Sequence, residues 1–165
     1  MIHPEPDPTR PGQESVWDYP RPAIAEPTDR HIVIRHGGVT LAGTTAAWRT
    51  LETSHPPTYY LPSADIAMKH LTPNPRRSLC EWKGQARYWD VIIGSDRFEA
   101  AAWSYDTPTG AFAVIAGHIA FYAEPFDQCL VDGEQVVPQP GGFYGGWITS
   151  REAGPFKGVP GSRFW

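Results

Sequence analysis

Two runs of alternating side chains, Ala86 to Ile93 and Phe98 to Tyr105, are joined by Gly94-Ser95-Asp96 and constrain the fold more than any other part of the chain. A period of two sends successive side chains to opposite faces. Glu99, Ala101, Trp103 and Tyr105 therefore share one face, and Phe98, Ala100, Ala102 and Ser104 the other. Around this hairpin the chain carries 18 prolines and 16 glycines in 165 residues. That excess favours turns, extended arms and short strands over long helices.

Other strands follow from turn chemistry. His31 to Arg35 and Val39 to Ala42 flank Gly37-Gly38, a pair that supplies the positive φ angles of a tight hairpin. Cys129 to Val131 and Gln135 to Val137 flank Asp132-Gly133 in the same way. Residues 46–53 can be drawn as a helical turn or two or as a strand, the extended chain that follows favouring the strand, and Phe112 to Tyr122 reads as a further strand. Ser63 reads as the N-cap of a short helix over 64–71, with Asp65 in its first turn and Thr72-Pro73-Asn74-Pro75 as its stop. The expected fold is mainly β: a curved, partly closed antiparallel sheet of short strands with one or two short helices. By length the chain makes one domain. Residues 1–29 are a proline-rich extended arm, with Trp17 and Tyr19 as its anchors, 30–137 the β core, and 138–165 an extension rich in Gly, Pro and aromatics. Six aromatics in that extension imply that it is ordered and packed on the core.

A net charge of −4 with a pI near 5.8, and no run of five basic residues, argues against a nucleic-acid partner. No stretch approaches the roughly 20 apolar residues that span a bilayer, so no membrane is expected and the location is read as cytoplasmic. Cys80 and Cys129 are too few for a disulfide framework, and no Cys-x-x-Cys or His-x-x-x-His pair offers a zinc site. Neither metal nor cofactor is expected.

Chemistry concentrates in Cys80-Glu81-Trp82-Lys83-Gly84-Gln85-Ala86-Arg87-Tyr88-Trp89, where a thiol, an ammonium and three aromatic rings crowd a loop that feeds a strand. A core is served by Leu, Ile and Val. This segment, with Thr58-Tyr59-Tyr60-Leu61-Pro62 preceded by Glu52, Ala102-Trp103-Ser104-Tyr105 and Ala120-Phe121-Tyr122, resembles the family called domain of unknown function 427. The resemblance covers residues 30 to 137, and the segments Tyr144 to Trp147 and Gly154 to Gly158 resemble a longer-tailed subset. It implies a small mainly-β domain, architecturally similar to tent-like β folds that hold small ligands in aromatic cages. A label attached to the family suggests nucleotidyl transfer. That chemistry needs a Gly-Ser turn and two alternating carboxylates for divalent metal. Gly94-Ser95 is present, but Asp106 runs into Thr107-Pro108 without a second carboxylate.

Three readings remain. Tyr60, Trp82, Tyr88, Trp103 and Tyr105 line a pocket for an unidentified small molecule, with Lys83 reading an anionic group. Alternation puts Tyr88 and Trp89 on opposite faces, so at most one enters the pocket; Tyr88 is preferred because it shares the face of Ala86. Alternatively Cys80 or Lys83 is a nucleophile with Glu52 or Asp65 as base. Against this, cysteine is often simply buried, and Lys83 paired with Glu52 would fix a loop. Third, arm and tail embrace a second copy in a homodimer. Among the histidines, only His118 is a candidate pocket residue.

Overall fold

The computed structural model describes residues 3–165. The hairpin read from the sequence is the centre of a four-stranded antiparallel sheet ordered Ile119–Phe121, Asp96–Tyr105, Gly84–Ile93 and Leu71–Cys80. Leu71–Cys80 replaces the expected helix stop with a ten-residue strand that carries Pro73 and Pro75. It lies at the sheet edge, where a proline forfeits no ladder hydrogen bond. Its register shifts between Asn74 and Arg77, around the second proline.

A bulge between Trp89 and Val91 faces Ala100, whose φ is +49°. Asp90 pins it: one carboxylate oxygen accepts from the Ala100 N–H and the Asn74 amide, both at 2.8 Å, and the other from Arg97. Burial alone would raise the Asp90 pKa, but these three donors outweigh it and hold the carboxyl below its ordinary value.

A second four-stranded sheet runs Glu134–Gln135, Gln128–Val131, Ile32–His36 and Val39–Thr44. Gly37 and Gly38, both at positive φ, form the expected hairpin turn. A three-stranded sheet pairs Ile24–Pro27 with Trp48–Leu51 and that with Thr58–Tyr60, so the 46–53 region does contain a strand. The protein is mainly β, with several antiparallel sheets and none closed into a barrel.

Two expectations are corrected. Residues 64–71 form two short 3-10 turns, Ser63–Asp65 and Met68–His70, because the Ala67 N–H bonds to Leu41 on a neighbouring strand instead of continuing a helix. Residues 112–122 divide into a 3-10 helix, Gly110–Ile115, and the strand Ile119–Phe121. The break falls at Gly117, whose φ is +72° and whose N–H bonds to the Tyr105 carbonyl.

The main core packs Ile32, Ile34, Leu41, Leu61, Val91, Ile119 and Phe121 between the sheets. A second cluster lies on the opposite face of the hairpin sheet and is largely aromatic: Tyr60, Tyr88, Trp103, Tyr105 and Phe112, with Ile115. Both terminal segments, among the described residues, lie against the body. Glu14–Ser15 pairs with Glu152–Ala153, Val16 and Tyr19 are buried, and the Trp17 indole donates to the Pro155 carbonyl at 2.9 Å. Trp147 enters the main core, where its indole N–H reaches the Phe121 carbonyl at 3.0 Å. No helix among the described residues is long and apolar enough to cross a membrane.

Candidate functional site

The turn between Leu71–Cys80 and Gly84–Ile93 folds the reactive segment back on itself. Cys80 pairs with Gly84, whose φ of +98° permits the tight reversal. The Lys83 Nζ consequently stands 3.6 Å from the Cys80 Sγ, 5.3 Å from the centre of the Phe112 ring and 5.9 Å from that of Tyr105. Lys83 is only 9% exposed. Among the described residues no carboxylate pairs with it; Glu52 instead sits against His55, at 3.6 Å. The loop-fixing Lys83–Glu52 pair considered from the sequence is therefore not formed.

A cavity of about 330 Å³ opens beside Lys83. Its lining includes Tyr60, Trp82, Lys83, Tyr88, Trp103 and Tyr105, so the six residues named as ligand contacts come together in one place. Cys80 and Glu52 line it as well. Asp65 does not: it is exposed and accepts from the Thr44 hydroxyl at 2.7 Å. His118 also lies outside, its ring turned to the Ala116 carbonyl. As alternation requires, Tyr88 faces the cavity, while Trp89 packs against the main core and donates to the Ser104 hydroxyl at 3.0 Å.

The aromatic side of the cavity is tied by its own polar atoms. The Trp103 indole N–H donates to the Tyr60 hydroxyl at 3.3 Å, and the Tyr88 and Ser78 hydroxyls are 2.8 Å apart. Burial pushes the Tyr60 and Tyr105 phenols well above their ordinary pKa, against the Trp103 hydrogen bond in one case and the Lys83 charge in the other. Both remain neutral hydroxyls at physiological pH.

Apart from Glu52, the opposing polar side has no counterpart in the sequence analysis. It brings His55, Gln139 and Lys157 to the cavity with Glu52, Thr50 and Thr58. Gln139 Oε1 accepts from the Gly146 N–H, so its Nε2 must donate, and it does so to His55 Nδ1 at 3.0 Å. That bond places the imidazole proton on Nε2, facing Glu52. Burial, then the nearby Lys157, Lys83 and Arg21 charges, lowers the His55 pKa to about 4. His55 is consequently neutral near pH 7, and its contact with Glu52 is not an ion pair.

The C-terminal segment completes the enclosure. Phe143, Tyr144 and Gly145 line the cavity, and the Tyr122 hydroxyl holds the Phe143 carbonyl at 3.1 Å. Gly145 lies so close to Trp103 that an added Cβ would fall 2.0 Å from the indole Cη2. The one sequence signal for this strap is its run of glycines among aromatics.

This is a mainly-β domain with an aromatic-and-lysine cavity at the tip of its longest hairpin. Residues 24–132 match the family described as Domain of unknown function (DUF427), and the chain belongs to that family. The match takes in the aromatic side of the cavity together with Glu52 and His55; Gln139, the strap and Lys157 lie beyond it. No curated protein matches the chain. As for divalent metal, Asp106 is exposed and lies 3.5 Å from Arg87. No group of three or more metal-ligating side chains occurs among the described residues.

Proposed function

We propose that this protein binds a compact, anionic small molecule in the cavity beside Lys83. One observation carries the reading: a nearly buried lysine without a carboxylate partner among the described residues projects into a cavity walled by eight aromatic side chains. Taking an ammonium out of water is costly unless an opposite charge accompanies it, and a bound anion supplies that charge. The volume lies at the small end of ligand sites, which suits one ring system or a short chain.

The test is a thermal-shift panel of aromatic carboxylates, sugar phosphates and nucleotides on the wild type and on Lys83→Met, which keeps the length and apolar stem of the side chain. The reading predicts a stabilising shift from at least one anion that Lys83→Met abolishes while keeping the unliganded melting temperature. A shift of equal size in the variant would refute it.

A second reading, nucleophilic chemistry at Cys80, is favoured by the 3.6 Å contact with Lys83. This reading requires Cys80 to alkylate faster at neutral pH than a model thiol, and to lose that advantage in Lys83→Met.

A further inference from the structure

Resting on the proposal that the cavity binds a ligand, we infer that this ligand is a zwitterion with an aromatic or bulky apolar body, of the α-amino acid type, whose carboxylate meets Lys83 and whose ammonium meets Glu52. Three observations lead there.

The first is that the cavity holds opposite charges that do not pair with each other, Lys83 and Glu52, with Glu81 and Lys157 also on its lining. Lys83 enters from the hairpin tip. Glu52 enters from just past the Trp48–Leu51 strand, in a separate sheet. No ion pair joins them, and among the described residues no Lys or Arg pairs with Glu52. Among the described residues, the only basic side chain within ion-pairing distance of Glu52 is His55, which burial and neighbouring cations keep uncharged. An anion alone would satisfy Lys83 and leave Glu52 facing a second negative charge across a small cavity, a repulsive arrangement. A cation alone would reverse the fault. A molecule with both charges, separated by a few bonds, satisfies both walls.

The second is that the polar wall is fixed before any ligand arrives. Gln139 holds the His55 ring from behind, and Gln139 is itself held by the Gly146 N–H and donates to the Lys157 carbonyl. Glu52 therefore faces an oriented, neutral N–H rather than a mobile cation. Such an arrangement positions an acceptor at little entropic cost on binding.

The third is that, Ser78 and Glu81 aside, the remaining walls are apolar up to the mouth. Leu79, 82% exposed on the edge strand, and Phe143, 67% exposed on the strap, flank the aromatic lining. A ligand body stacked among Trp82, Trp103 and Tyr105 continues this surface, covering side chains that otherwise face water.

The experiment is isothermal titration of the full chain with L-phenylalanine and L-tryptophan. Each is compared with its deaminated acid (3-phenylpropionate, indole-3-propionate) and its decarboxylated amine (phenethylamine, tryptamine). The inference expects one amino acid to bind at least about tenfold more tightly than either of its single-charge analogues, as the loss of one charge-assisted contact implies. It further expects Glu52→Gln to weaken the amino acid while sparing the acid analogue, and Lys83→Met to weaken the amino acid while sparing the amine. If an acid analogue binds as tightly as its amino acid, the zwitterion is overturned and the anion-binding cavity stands. An amine binding as tightly as its amino acid overturns both. If none of the six binds, the inference fails, and the anion panel alone decides the broader reading.

Discussion

Gly145→Ala tests whether the strap truly closes the cavity against Trp103. The added Cβ would lie 2.0, 2.8 and 3.0 Å from three atoms of the indole's outer edge. Carbon atoms rest about 3.5–4.0 Å apart, so something must yield by roughly 1.5 Å or more. The indole is poorly placed to do so: its Nε1 is bonded to the Tyr60 hydroxyl, and its ring lies 4.7 Å, centre to centre, from Tyr122. The strap must lift instead. Lifting breaks up to three hydrogen bonds: Tyr122 to the Phe143 carbonyl, Gly146 N–H to Gln139 Oε1, and Gln139 N–H to the Gly146 carbonyl. At about 1 kcal/mol each, the cost is about 2–3 kcal/mol, within the range of about 1–3 kcal/mol expected when a packed site is overfilled. Urea unfolding followed by tryptophan fluorescence measures this, with Gly43→Ala as the control. Gly43 is exposed on a strand, without a positive φ and with no atom within 4 Å of the point an added Cβ would occupy, so its alanine variant should match the wild type to within about 0.5 kcal/mol. Equal midpoints for Gly145→Ala, Gly43→Ala and wild type would refute the reasoning and detach the strap from Trp103.

Iodoacetamide at pH 7.5 should modify one cysteine in the native protein and two in urea, because Cys80 is half-exposed while burial raises the Cys129 thiol to about 12; native labelling of Cys129, read by peptide mapping, would contradict this. His55 titrates near 6.5 unfolded and about 4 folded, so between those values the unfolded chain binds the additional proton. Its share of stability is complete above about pH 6.5 and falls by up to about 3 kcal/mol as the pH drops through 4. Denaturation midpoints of His55→Gln against pH should show a shallower acid slope, and an unchanged slope would count against a buried neutral ring. Glu152, with no exposed side-chain surface, is paired with Arg30 at 3.3 Å and accepts from Thr149. Removing the guanidinium in Arg30→Met should cost about 3–5 kcal/mol, with part recovered on adding Glu152→Gln; a loss under about 1 kcal/mol would show that Glu152 is solvated after all.

What can be read from the sequence divides along a physical line. Tyr88 and Trp89 are assignable to opposite faces because strand alternation is a local rule, and Trp103 and Tyr105 fall on one face by the same rule on the adjacent strand; which face meets the cavity is set by the assembled sheet. Leu71–Cys80 escapes such reading because its prolines are acceptable only on an edge, and being an edge is a property of the assembled sheet rather than of the strand. His55 lacks a partner at any short spacing; its partner is Gln139, 84 residues away, delivered by a tail that itself depends on Trp147 being buried in the main core. The same tail decides whether the aromatic cluster is only core or also the wall of a cavity. Tyr60, Tyr88, Trp103 and Tyr105 are each 2–8% exposed, as buried as ordinary core residues, and nothing in their own segments distinguishes the two cases. The difference is made on the far side. Gly145 puts bare backbone against Trp103, and Gln139, His55, Glu52 and Lys157 put polar atoms across from the rings. A larger side chain at Gly145 would press directly on the indole. The cavity therefore depends as much on what the strap omits as on the aromatic residues that announce it.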